Sequence, residues 1–284
     1  MNNNFITINW HLTEACNFDC FFCFAKYHNK EKELHLDKNK IDILLEKIYF
    51  YFKTKFEIVN LNLVGGEPLL SKNINYIIEK AFNLGFKVSL ISNGSLINNN
   101  FLETNIKYLT TIGISIDSLN NDTNKKIGRF IKKDYKEVLK LINEYPIDLK
   151  INTVVNKFNF QENIVEELKE FKIKKWKIFQ AINVENNIFY QNATSNELLV
   201  KKHCSKEEFE IFIKNNNLYH LKENKYFIEK DENLTESYIM IDPFGRFFQN
   251  INNKYEYSER IIENNIEECF NKNKFNLFKF KKRY

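Results

Sequence analysis

The sequence lacks any run able to cross a membrane: its early apolar segment, FITINW, is far shorter than the roughly 20 residues of a spanning helix. No charged-then-apolar leader opens the chain, so export is not expected. Cysteine is scarce, five in 284 residues, and three of the five are clustered. That distribution excludes a disulfide framework and points to a reducing compartment, the cytoplasm. Charge of one sign is also missing. The 42 Lys and Arg stand interspersed with 37 Asp and Glu, and a net charge of +5 excludes a nucleic-acid-coating role while leaving room for a compact anionic ligand. The 7 Gly and 3 Pro, against abundant Asn, Lys and Ile, read as compositional bias without functional meaning. There is no internal repeat and no linker, and the length suits one α/β unit.

Short β-type runs recur between longer helical patterns. Strands are expected over Phe5–Trp10, Ile58–Val64, Lys87–Ser92, Thr111–Ile116, Leu149–Val154 and Trp176–Ile182. Ile41, Leu44, Leu45 and Ile48 follow Asp37 at helical spacing, and Tyr76, Ile77, Ala81 and Phe82 follow Ser71 and Asn73. Such alternation implies right-handed βαβ units and a parallel sheet, with the ligand site at the carboxyl ends of the strands. After about Gln191 the alternation fades into a helix over Lys206–Asn215 and a hairpin, Tyr238–Ile241 with Phe247–Gln249, turning at Asp242-Pro243-Phe244-Gly245. Residues 1–190 are therefore expected to form the core and 191–284 an extension capping the active site of a single globular unit.

Cys16, Cys20 and Cys23, in ACNFDCFFC, follow the first strand. Three thiolates at this C-x3-C-x2-C spacing suit one face of a cubane [4Fe–4S] cluster and leave its fourth iron without a protein ligand. A zinc site would need a second paired knuckle, which is absent, since Cys204 and Cys269 stand alone. Polar tips close the next strands: Gly65-Gly66-Glu67-Pro68, then Ser92-Asn93-Gly94, then Ser115 with Asp117 and Ser118. Two glycines allow close backbone approach, and Glu67 offers an acceptor for a cationic amine. Each tip alone is an ordinary turn or cap; their recurrence on consecutive strands favours a shared ligand. Lys150 and Asn152 share one face of the fifth strand, as do Lys175 and Lys177 on the sixth. A buried ammonium without an anion is costly, and a bound polyphosphate would satisfy such a basic wall.

The cysteine triplet, with Phe22 before its last member, resembles the radical S-adenosylmethionine (SAM) enzymes. The ordered segments INWHLTEACNFDCFFCF, LNLVGGEPLL, LISNGSLI, ISIDS with IGRF, LKINTVVNKFN, KKWKIFQ and ESYIMID, spanning roughly Phe5 to Gln249, are similar to the viperin family. The resemblance implies a partial (β/α)6 barrel with parallel strands, a small C-terminal capping extension, and a [4Fe–4S] cluster with SAM as cofactors. It further implies cluster ligation by Cys16, Cys20 and Cys23, and a SAM pocket of Phe22, Gly65, Gly66, Glu67, Ser92, Asn93, Ser115, Arg129 and Phe179. In that pocket the Gly-Gly-Glu motif would hold the methionyl amine and Arg129 or Ser115 the carboxylate, for which a guanidinium fork is suited. Lys150, Asn152, Lys175 and Lys177 would take a nucleoside triphosphate, and Tyr238 would be the catalytic proton or hydrogen donor. The implied reaction is removal of the ribose 4′ hydrogen by a 5′-deoxyadenosyl radical, giving the 3′-deoxy-3′,4′-didehydro nucleotide, an antiviral chain terminator.

The chain departs from the family where animal members carry an amphipathic membrane helix, since it starts directly at the first strand, and no membrane association is expected. Asn60 and Val64 stand where those enzymes have a lysine and a serine near the nucleotide, which opens the choice among CTP, GTP and UTP; Asn9 remains as a substrate contact. A low-potential ferredoxin or flavodoxin is the implied electron donor. A molybdopterin-precursor synthase or a peptide-modifying radical SAM enzyme with auxiliary clusters would need more cysteines. An iron–sulfur sensor or electron carrier would have little use for Gly65–Pro68 or the lysine-bearing strands.

Overall fold

The computed structural model describes residues 4–23, 25, 31–129, 134–181, 204–219, 225–229, 236–251 and 254–282. Six parallel strands follow one another across the sheet: β1 (Phe5–His11), β2 (Ile58–Val64), β3 (Lys87–Ser92), β4 (Leu109–Ser115), β5 (Asp148–Val155) and β6 (Ile173–Gln180). The expected bounds of β2 and β3 coincide with those found. β6 starts earlier than expected, at Ile173, because Leu149 of β5 pairs with Ile173 ahead of a register shift; the Ile182 end of that expectation lies outside the described residues, as does the 190/191 boundary.

The later chain continues the same sheet at both ends. β7 (Tyr226–Glu229) pairs parallel to β6, while β8 (Ile239–Ile241) pairs parallel to β1 and begins an antiparallel run with β9 (Arg246–Ile251) and β10 (Lys254–Arg260). The order β10-β9-β8-β1-β2-β3-β4-β5-β6-β7 makes ten strands, curved into a barrel that is not closed. The hairpin and the helix at Lys206–Asn215 lie where the sequence pattern puts them.

Helices α1 (Lys38–Lys53), α2 (Ile74–Leu84), α3 (Asn99–Asn105), α4 (Asn121–Ile127), α5 (Tyr135–Asn143) and the short α6 (Ile164–Glu167) connect the strands, and α7 (Lys206–Asn215), α8 (Ile266–Asn271) and α9 (Leu277–Lys281) follow. In α1 the Asp37 side chain accepts from the Asn39 and Lys40 amides, and Ile41, Leu44, Leu45, Ile48 and Phe52 form the buried stripe. α7 starts on a full capping box of Ser205 and Glu208. No helix among the described residues is long and apolar enough to cross a membrane.

Parallel strands covered on both faces usually read as continuous apolar runs. Here they alternate. Ile6, Ile8, Trp10, Leu61, Leu63, Val88, Leu90, Ile112, Ile114, Leu149, Ile151, Trp176 and Ile178 are almost fully buried in the apolar core. The intervening Thr7, Asn60, Asn62, Ser89, Thr111, Lys150, Lys175 and Lys177 line a cavity of about 390 Å³ on the other face. This lumen is polar because period-two side chains place every second residue inside.

His11 ends β1 wholly buried, edge-on to Phe248 at 5.2 Å, and burial lowers its pKa from 6.5 to about 3. The folded chain thus refuses a proton that the unfolded chain binds below its ordinary pKa. Stability from this group is present above pH 6.5 and is lost as pH falls toward about 3. Urea unfolding of the chain should lose about 1.4 kcal/mol per pH unit below about pH 6.5 from His11, a slope that His11→Gln should flatten.

Candidate active site

The loop after β1 carries Cys16, Cys20 and Cys23, respectively exposed, buried and half-buried. Two glycine turns hold it by backbone contact. At the end of β2, the Gly66 amide donates to Thr13 O at 2.7 Å and the Glu67 amide to Ala15 O at 2.8 Å. A Cβ on Gly66 would sit 2.3 Å from Ala15 O, and one on Gly65, whose φ is +138°, 2.8 Å from Thr13 O. The two glycines therefore bring this turn into close contact with the cysteine loop. On the other side, Asp19 and Phe21 donate backbone bonds to Gly128 O and Ile127 O at 2.9 and 3.0 Å. Gly128 caps α4 at φ +85°, and a Cβ there would lie 2.1 Å from Asp19 O. The sequence pattern of IGRF offered this glycine no role beyond a helix end, although Gly after a helix is a visible stop signal.

A third support comes from behind. Glu33 accepts from Thr13 Oγ1 and the Glu14 amide, both at 2.7 Å, and is bridged by His35, at 2.8 Å, to Ser71 Oγ, also 2.8 Å from the ring. Burial raises the Glu33 pKa, but the hydrogen bonds from His35, Glu14 and Thr13 outweigh it and hold the carboxyl below its ordinary range.

Glu67 is fully buried and already engaged by its own chain: Ser92 Oγ at 2.9 Å, the Asn93 amide at 2.8 Å and the Leu69 amide at 3.1 Å. Burial pushes its pKa up against these bonds and against Arg129. Its carboxylate braces the ends of β2 and β3. Asn93 then reaches the loop, donating to Asn17 Oδ1 at 2.8 Å and to Cys16 Sγ at 3.8 Å. Arg129 likewise meets a carboxylate of the chain itself, Asp117 at 3.0 Å, and donates to Ser115 O at 2.5 Å. Both partners of that ion pair are buried; burial pushes Asp117 up while the guanidinium opposes it. Arg129 Nε is buried without a hydrogen-bond partner among the described residues. Phe22 packs edge-on to Phe21, and Phe21 to Phe158.

Among the described residues no three His, Cys, Asp or Glu side chains converge on one metal ion. A cubane needs no such convergence, because each thiolate takes a different iron. Three thiols on one loop, braced on both sides, fit a cluster with one open iron.

The basic wall is formed as the strand pattern implies. Lys150 of β5 registers with Lys175 of β6, and Asn152 with Lys177. Lys150, Lys175 and Lys177 line the lumen with Lys174, which the period-two argument had not included. Asn152 Oδ1 is buried with no hydrogen-bond partner among the described residues. Lys177 also has an internal partner. Its Nζ lies 2.5 Å from Glu229 Oε1, 3.4 Å from Tyr238 Oη and 5.9 Å from the Phe179 ring, so an internal carboxylate already balances it. Tyr238 Oη in turn donates to Glu229 Oε2 at 2.5 Å. Glu229 was not visible as a site residue because it lies on a short strand after a stretch without pattern.

The opposite wall carries amides. Asn9 donates to Ile239 O at 3.2 Å and accepts from Asn62 Nδ2 at 2.9 Å. Asn60 donates to Ile6 O at 3.2 Å. Val64 ends β2 beside His11 in register.

The model of the radical SAM superfamily matches residues 10–171. An S-adenosylmethionine-dependent nucleotide dehydratase of Psychrobacter lutiphocae is 36% identical over 99% of this chain and 95% of its own. The protein of the same description from Flammeovirga pacifica is 36% identical over 98% and 94%. In structure, anSMEcpe with bound AdoMet and a Kp18Cys peptide aligns at TM-score 0.71 and 14% identity, over 97% of this chain and 84% of that one. SuiB of Streptococcus suis bound to S-adenosylmethionine aligns at TM-score 0.67 and 15% identity, over 94% and 66%. These two share the fold.

Gly128→Ala should fold but fail to load iron, since its methyl would displace the Asp19–Cys20 backbone. Iron and sulfide per chain after reconstitution, with an unchanged far-ultraviolet circular dichroism spectrum, are the readouts; full iron loading would refute the clamp.

Proposed function

The chain belongs to the radical SAM superfamily and, within it, to the S-adenosylmethionine-dependent nucleotide dehydratases, and from that premise we propose that it dehydrates a nucleoside triphosphate to its 3′-deoxy-3′,4′-didehydro analogue. The observation that carries this reading is a lumen with Lys150, Lys175 and Lys177 on adjoining strands, in the same barrel whose strand ends hold the cysteine loop.

Cys16, Cys20 and Cys23 would hold a [4Fe–4S] cluster, and Gly65, Gly66, Ser92, Asn93, Ser115, Phe22 and Phe179 would surround SAM. Glu67, braced by Ser92 and the Asn93 amide, would meet its amine, and Arg129 or Ser115 its carboxylate. When bound, the cluster and SAM supply a carbon radical able to take the ribose 4′ hydrogen. The chain's own task is placement. The lysines fix the phosphates by charge, and Asn152 offers its unpartnered oxygen as an acceptor for a hydroxyl. The 3′-hydroxyl leaves as water, a second electron completes the product, and Tyr238 is the residue placed to hold or move a proton at its phenolic oxygen. The product lacks the hydroxyl that a polymerase extends, which accounts for an antiviral role. A ferredoxin or flavodoxin would supply electrons in the cytoplasm.

The test is anaerobic reconstitution followed by dithionite, SAM and, separately, CTP, GTP and UTP. A nucleotide lighter by one water, formed together with 5′-deoxyadenosine, is expected from at least one of them. Deoxyadenosine formation indifferent to every nucleotide would reject the substrate. Tyr238→Phe should slow product formation about a hundredfold while sparing SAM binding, and a wild-type rate would remove the tyrosine from the mechanism.

A further inference from the structure

Lys177 and Glu229 are both about 95% buried or more, and a charged pair that deep is held only where each satisfies the other. The pair sits at a particular place. Glu229 ends β7, one extreme of the sheet, and Tyr238 immediately precedes β8, which lies on the far side of β1. The carboxylate thus bridges the lysine of the cavity wall to the tyrosine across the open barrel, one oxygen to each at 2.5 Å. Lys177 is at the same time a lining residue of the cavity, beside Lys150 and Lys175.

A polyphosphate entering that cavity meets an ammonium whose nearest anion is a carboxylate of the chain. Two anions cannot share one ammonium at contact distance without mutual repulsion. The polyphosphate carries more charge and also reaches the other lysines, so it displaces the single carboxylate. Once Glu229 leaves Lys177, the acceptor that fixes the Tyr238 hydroxyl leaves with it.

We propose that Glu229 is a positioning residue that stands in for the substrate's phosphate, masking Lys177 and holding Tyr238 until a nucleoside triphosphate displaces it. This rests on the nucleotide reading above and adds to it a coupling between filling of the phosphate subsite and release of the tyrosine hydroxyl. An empty enzyme keeps its tyrosine engaged, and a charged triphosphate, not a nucleoside, frees it.

The test is calorimetric titration of inorganic tripolyphosphate into the reconstituted full chain, with SAM present and no reductant. Glu229→Gln, isosteric and uncharged, should bind about tenfold more tightly than wild type, and Glu229→Asp, which keeps the charge, should stay within about threefold of it. Adding Lys177→Met to Glu229→Gln should abolish the gain. Equal or weaker binding by a folded Glu229→Gln, an equal gain in Glu229→Asp, or a gain that survives Lys177→Met would overturn the proposal. A wild-type chain that binds neither tripolyphosphate nor any nucleoside triphosphate would instead overturn the nucleotide reading itself.

Discussion

The site depends first on backbone-to-backbone contact between the cysteine loop and two glycine turns. Thr13 and Ala15 accept from Gly66 and Glu67, and Asp19 and Phe21 donate to Gly128 and Ile127, on the two flanks of the segment that carries Cys16 and Cys20. No side chain fits at either glycine, so the loop's distance from β2 and α4 is fixed by main-chain sterics. Side-chain bonds then add direction: Glu33 ties down Thr13 and the Glu14 amide, and Asn93 reaches Asn17 and Cys16. Glu67 and Arg129, both buried and ionisable, serve this frame by bracing strand ends. A radical site benefits from such redundancy, because a small displacement of the reacting groups carries a large cost in rate.

The second constraint is the division of the parallel strands into an apolar and a polar face. It lets one sheet do two jobs: the apolar residues bury the helices, and the alternate residues furnish a lumen in which amides, hydroxyls and ammonium groups stand with the Asp148 carboxylate and a few apolar side chains. The lysines fall on β5 and β6, where four ammonium groups outnumber the Asp148 carboxylate, while the lining amides Asn60 and Asn62 fall on β2, so the cavity is electrically lopsided. An extended anionic ligand with a neutral end is oriented by that asymmetry before any single contact is made.

Much of this was legible in the sequence, and for identifiable reasons. β2 and β3 are bounded by turn formers and alternate strictly, so their limits could be read to the residue. Period two places Lys150 with Asn152, and Lys175 with Lys177, on one face, and the family resemblance singled them out as substrate contacts. What that rule could not supply is the anion beside Lys177, since Glu229 approaches from a strand 52 residues later. For Glu67 and Arg129 the sequence displays a charged group but not its neighbours; their partners Ser92, Asp117 and Ser115 come from other strands or loops. Gly128 escaped notice for the same reason, as its significance lies in what a missing methyl leaves room for.

The amide wall also has a handedness of a kind. Ile239 offers only a carbonyl to Asn9, so Asn9 must turn its nitrogen toward it and its oxygen toward Asn62. Asn62 must then give up a nitrogen-bound hydrogen to that oxygen, and its own carbonyl oxygen is an acceptor left over at the cavity surface. A main-chain atom 230 positions away from Asn9 thereby sets the polarity of the wall. The order of hydrogen and lone pair is handed inward from β8 like a sign carried through a product, and it cannot be inverted at Asn62 without being inverted at Asn9 and breaking the bond to Ile239.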